Sequence, residues 1–102
     1  MQVQTKEQLF ERLGHHRQHL AQFGVKRFGL FGSFARSEQH EGSDVDILVD
    51  FDPEKKTFDN FMNLAFFLEE ILGRKVDLVT RESLSPHIGR SILSEVEYGT
   101  VD

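Results

Sequence analysis

Val45-Asp46-Ile47-Leu48-Val49-Asp50-Phe51 decides how this chain folds. Val45, Ile47, Val49 and Phe51 recur at every second position, the period of a strand with one buried face. Asp44, Asp46, Leu48 and Asp50 fall on the other face. Residues two apart on a strand point the same way, so the Asp44 and Asp46 carboxylates share a side. Two anions held that close repel each other, and a purely structural strand has little reason to place them near its start. A bound hard cation removes the difficulty, because Mg²⁺ takes carboxylate oxygens.

The elements on either side follow from the same patterning. Upstream, residues 27–32 read as a short strand, residues 33–39 as a helical turn and His40-Glu41-Gly42-Ser43 as a loop. Downstream, Asp52-Pro53-Glu54-Lys55-Lys56 is a turn. Phe58 to Leu72 is a helix stopped by Gly73, and residues 75–80 form a third strand. Ser85-Pro86 supplies an N-cap with proline at the first helical position. The last helix is expected to run to about Tyr98, with Gly99 after it. At the start, Thr5 with Gln8 makes a capping box for a helix carrying Leu9, Leu13 and Leu20, which Gly24 ends. The expectation is an α/β (α+β) domain in the order α-β-α-β-α-β-α, with a small three-stranded mixed sheet and helices packed on it. The crossover helix makes strands two and three parallel, while the shorter connection before them allows an antiparallel pair.

That topology gathers the unusual residues at one edge. Parallel neighbours start side by side, so Asp77 in Val76-Asp77-Leu78-Val79 can join Asp44 and Asp46. An antiparallel first strand brings Gly32-Ser33 to the same place. Glycine lets a ligand approach the backbone closely, Ser33 begins a turn whose N–H groups attract anions, and Arg36 lies one turn further on, within reach of phosphates. Two metal ions at such a site would stabilise the attacking and leaving oxygens of an in-line displacement. Each residue alone also has an ordinary reading as turn, solvated strand start or surface side chain; their joint spacing is what points to chemistry.

Composition sets the bounds. The chain has 102 residues, 38% of them hydrophobic and ten of them Phe, which suits a single globular domain over residues 1–102. Cysteine is absent, which excludes disulfides and thiolate metal sites. No apolar run approaches membrane-spanning length and no leader pattern opens the chain, so a cytoplasmic location is expected. The net charge of −5 with scattered basic residues argues against direct nucleic-acid binding. A nucleotide accompanied by Mg²⁺ remains compatible. His15 and His19 have metal-ligand spacing on a helix but read more simply as a polar face. His40 and His87 are isolated, and Tyr98, the single tyrosine, reads as a packed or surface residue near a helix end.

Gly32-Ser33-Phe34-Ala35-Arg36, followed by Ser43-Asp44-Val45-Asp46-Ile47-Leu48-Val49, resembles the signature of the polymerase-β-like nucleotidyltransferase superfamily. Gly73-Arg74-Lys75-Val76-Asp77-Leu78-Val79 and the short chain resemble its minimal nucleotidyltransferase branch. The resemblance implies that Asp44 and Asp46 hold two Mg²⁺ ions and that Asp77 is the third carboxylate, ligating metal and taking a proton. It implies that Gly32 and Ser33 cradle the phosphates of ATP, with Arg36 as an auxiliary contact. The family pattern often has glycine after that arginine; here it is Ser37. Members commonly serve as antitoxins of a HEPN-domain ribonuclease toxin and transfer AMP to its tyrosine, so the resemblance also implies a protein partner. A helix apolar on more than one side, with Phe58, Met62 and Phe66 flanking the main stripe, agrees with a partner, although a central core helix would look the same. The rivals are a nucleotidyltransferase acting on a small molecule or RNA, and an antitoxin that neutralises by binding alone.

Overall fold

The computed structural model describes residues 2–100. Two helices open the chain, α1 (Lys6–His15) and α2 (Arg17–Gln22). Thr5 caps α1 by accepting from the Gln8 amide at 3.1 Å, but the capping box does not close, because the Gln8 side chain accepts from the Gln4 amide at 2.8 Å instead of that of Thr5. The single first helix expected from the sequence is instead broken at His16, whose φ of −110° and ψ of 18° leave the helical region.

Strand β1 (Val25–Phe31) leads into α3 (Gly32–Ala35), a single turn. Strand β2 (Val45–Phe51) follows, then a 3₁₀ turn at Pro53–Lys55 and the long helix α4 (Phe58–Leu72). Gly73, at φ 67° and ψ 23°, ends α4 in the left-handed conformation that glycine adopts without a Cβ penalty. Strand β3 (Val76–Thr80), helix α5 (Pro86–Glu95) and strand β4 (Glu97–Thr100) complete the described chain.

The sheet order is β3-β2-β1-β4. β2 is antiparallel to β1 and parallel to β3, and β4 is antiparallel to β1. Among the described residues the sheet therefore has four strands, not three, and the order ends on a strand. The last helix stops at Glu95 because Val96 turns extended (φ −68°, ψ 138°). The chain then pairs Tyr98 with Gly29 along an edge of β1 that would otherwise carry unpaired backbone groups. Gly29 and Gly99 permit this: a Cβ on Gly29 would meet Val96 Cγ2 at 2.4 Å, and one on Gly99 would meet the Phe28 ring at 2.5 Å.

The main core lies on one face of the sheet. Val45, Ile47 and Val49 of β2 and Phe28 and Leu30 of β1 are packed there with Leu9 and Leu13 of α1, Leu20 of α2, and Leu64, Leu68 and Leu72 of α4. The other face of β2 carries Asp46, Leu48 and Asp50, and of these only Leu48 is fully buried. Along α4, Phe58 and Phe66 stay 75% and 61% exposed.

Candidate functional site

The register of the three central strands builds the site. Antiparallel pairing sets Phe31 opposite Asp46, so the next residue, Gly32, arrives at the start of β2. Parallel pairing sets Asp46 opposite Asp77. Asp44 immediately precedes β2. Asp44 and Asp77 are exposed and Asp46 is half-buried between them. The edge inferred from strand order is thus the edge that the fold forms.

Gly32 is required by what lies against it. Its φ is 75°, and a Cβ at that position would sit 2.1 Å from Asp46 Oδ2. The Asp46 carboxylate is therefore packed directly on the Gly32 backbone. Ser33 is half-buried in α3, and its carbonyl accepts from the Glu38 amide at 2.8 Å. Arg36 caps α3 and is exposed; its guanidinium bonds Glu38 at 2.6 Å and Glu95 at 3.0 Å. These two carboxylates, Glu38 first, raise the Arg36 pKa above its ordinary value. Ser37, which follows, has φ 56°. The glycine often found there in the family suits that left-handed backbone; serine holds it at a cost of about 1 kcal/mol.

The charges at this edge are not balanced. Burial above all, with the neighbouring charges of Asp77, Asp44 and Glu95 and against an opposing effect of Arg36, raises the Asp46 carboxyl from 3.8 to about 6. Carboxylate oxygens are the donors that hard divalent cations take, and a bound cation would relieve this repulsion. The residues therefore fit Mg²⁺ in chemistry and charge. Among the described residues, however, no three His, Cys, Asp or Glu side chains stand close enough together to hold a metal ion as they lie.

Two contributors escaped the sequence reading. Arg74 is 6% exposed. It donates to the carbonyls of His40, Glu41 and Ser43 at 3.1, 3.0 and 2.8 Å, and to that of Val3 at 2.7 Å. Its guanidinium lies 4.9 Å from the centre of the Phe34 ring in α3. One buried cation thus fixes both the loop that delivers Asp44 and the turn that follows Gly32. The second is Glu95, whose Oε1 accepts from the Gly32 amide at 3.1 Å while the same carboxylate pairs with Arg36. Its only signal in the sequence was an acid near the end of a helix.

The remaining candidates lie elsewhere. The break at His16 separates His15 from His19, and His19 packs against the Phe67 ring at 5.4 Å. Tyr98 belongs to β4, with the Arg27 guanidinium 3.9 Å over its ring and its hydroxyl accepting from Arg81 at 3.0 Å. No helix among the described residues is long and apolar enough to cross a membrane.

A mixed sheet that brings a left-handed glycine to one strand end and acidic residues to the starts of two parallel neighbours defines the nucleotidyltransferase class of fold. The nucleotidyltransferase domain model matches residues 13–98, and the chain belongs to that family. It is 43% identical over 99 residues to the protein adenylyltransferase MntA of Thermococcus cleftensis, covering 96% of this chain and 99% of that one. It is 40% identical over 99 residues to MJ1379 of Methanocaldococcus jannaschii, a candidate protein adenylyltransferase, covering 94% and 99%. Among solved structures, a protein assigned as a minimal nucleotidyltransferase superposes with a TM-score of 0.79 at 35% identity, over 92% of this chain and 95% of that one. A toxin–antitoxin structure with AMP-PNP shares the fold, with a TM-score of 0.61 at 24% identity, over 80% and 70%.

Proposed function

We propose that residues 1–102 act as one cytoplasmic domain that transfers AMP from ATP to a tyrosine of a HEPN-domain toxin, and so serve as its antitoxin. The observation that carries this reading is Asp46 facing Asp77 in register while its carboxylate lies against the Gly32 backbone. The likeness to a named protein adenylyltransferase over nearly the full length of both chains supports the choice of reaction.

Asp44, Asp46 and Asp77 would hold two Mg²⁺ ions. When bound, these ions would neutralise charge on the reacting phosphate and its leaving group. Gly32 and Ser33 would cradle phosphate oxygens, with the Arg36 guanidinium as an auxiliary contact, and so fix the nucleotide for in-line attack. The tyrosine oxygen would bond to the α-phosphorus, the bond to the β-phosphate bridging oxygen would break and pyrophosphate would leave. Asp77, exposed at the rim, would take the phenolic proton. Exposed Phe58 and Phe66 on α4 offer apolar surface that a protein partner would cover. The net charge of −5 disfavours a nucleic-acid acceptor.

The test incubates the protein with ATP, Mg²⁺ and the product of the adjacent gene, and reads intact mass. One or more AMP adducts on a toxin tyrosine are expected, abolished by Asp44→Asn/Asp46→Asn. No adduct with wild type, together with full neutralisation by the double variant, would replace catalysis with neutralisation by binding. An adduct on RNA or a small molecule instead of the toxin would move the chain to the corresponding rival class.

A further inference from the structure

Glu95 sits where an anion is expected. The Gly32 amide donates to its Oε1 at 3.1 Å, and Arg36 Nη1 reaches its two oxygens at 3.3 and 3.0 Å. These are a backbone donor and a guanidinium, the pair suited to a phosphate oxygen. The carboxylate reaches them from a distant part of the chain, as the final residue of α5, 63 positions beyond Gly32. It does so although the Asp46 carboxylate also lies against Gly32 and repels it. A carboxylate held beside another carboxylate needs compensating donors, and the cradle supplies them.

We propose that Glu95 is an internal stand-in for a nucleotide phosphate, closing the cradle when nucleotide is absent and leaving it when nucleotide binds. This rests on the reading of Gly32 and Arg36 as phosphate contacts. The ligand it excludes is a polyphosphate oxyanion, which requires the same two donors. Glu95 joins α5 to β4 through Val96 alone, so its departure loosens the end of α5 from the turn it packs on. Such a contact scales apparent nucleotide affinity down to the fraction of molecules that stand open.

The experiment measures binding of ATP with Mg²⁺, and separately of inorganic tripolyphosphate, by calorimetry on wild type, Glu95→Ala and Glu95→Gln. Glu95→Gln keeps the size and a hydrogen-bond acceptor, so it guards against a folding defect. If the proposal holds, both variants bind both probes more tightly. The gain is ~3- to 10-fold for Ala, as for removal of one partly exposed charged contact, and smaller for Gln. Affinities equal to wild type within about twofold would overturn the stand-in role while leaving the nucleotide site intact. Weaker binding by the variants would overturn it in favour of Glu95 as a positioning residue that helps to hold ligand. If wild type and both folded variants fail to bind either probe, the phosphate reading of the cradle fails and the stand-in role falls with it.

Discussion

The two faces of β2 were built to opposite specifications. On one, Val45, Ile47 and Val49 are almost entirely buried against the helices. On the other, Asp46 is held at the edge with Asp77 opposite and Asp44 just before it. The first face gains from every contact it makes. The acidic start of the second, beyond the buried Leu48 and the Arg27–Asp50 pair, carries repulsion that the fold must tolerate. Stability and chemistry are thus separated by the alternation of a single strand, one residue apart. Proteins that strain a functional site commonly offset the cost elsewhere.

Substitutions on the two faces should therefore differ in sign as well as size. The largest effect is expected from Ile47→Ala, which opens a cavity in the packed face and should cost about 3–4 kcal/mol in urea unfolding. A loss under about 1 kcal/mol would mean that the packed face is not what supports the edge. Next, Arg74→Met removes the donor to the carbonyls of Glu41, Ser43 and Val3, and one of two donors to that of His40, and should cost about 2–3 kcal/mol. It should also lower transferase activity more than a surface change of equal stability cost, because the loop before Asp44 loses its anchor. Activity that simply tracks stability would reduce Arg74 to a packing residue.

On the edge itself the sign reverses. Asp46→Asn should abolish activity yet stabilise the metal-free fold. With the folded carboxyl at about 6 and its ordinary value at 3.8, protonated Asp46 favours folding. Its contribution is fully present below about pH 4 and is lost as pH rises through about 6. The variant should therefore match wild type near pH 4 and exceed it by about 1–2 kcal/mol at pH 7, after allowance for the partial exposure of the site. Thermal unfolding in a chelator at the two pH values reads this directly, and a variant less stable than wild type at pH 7 would contradict it. The smallest effect is Ser37→Gly, which relieves the left-handed backbone and should gain about 0.5–1 kcal/mol without altering either face.

Much of this division was legible in the sequence. The period-two run from Val45 to Phe51 and the helix from Phe58 to the Gly73 stop appear where the patterning put them, because each is long and strongly periodic. The meeting of Gly32, Asp46 and Asp77 followed from connection lengths. The fourth strand did not. Glu97, Tyr98, Gly99 and Thr100 make a four-residue segment whose strand character depends on the free edge of β1, a property of another part of the chain. Arg74 and Glu95 were illegible for the same reason. An arginine after a helix-ending glycine and a glutamate at a helix end are ordinary surface residues until the fold brings carbonyls to the one and the Gly32 amide to the other.

The bonds of Arg74 also set an order of events during synthesis. Residue 3, the loop at residues 40–43 and the guanidinium of residue 74 meet at one point, and the Val3 amide also bonds the carbonyl of Leu72. Asp44 and Asp46 leave the ribosome roughly thirty residues before the side chain that secures their loop, and translation adds about 5–20 residues per second. For that interval the nascent chain carries Asp44 on an unsecured loop, just before Asp46 in β2. The edge takes its final form only after β3 has begun to emerge, so a product truncated before residue 74 retains the signature of the site without the means to shape it.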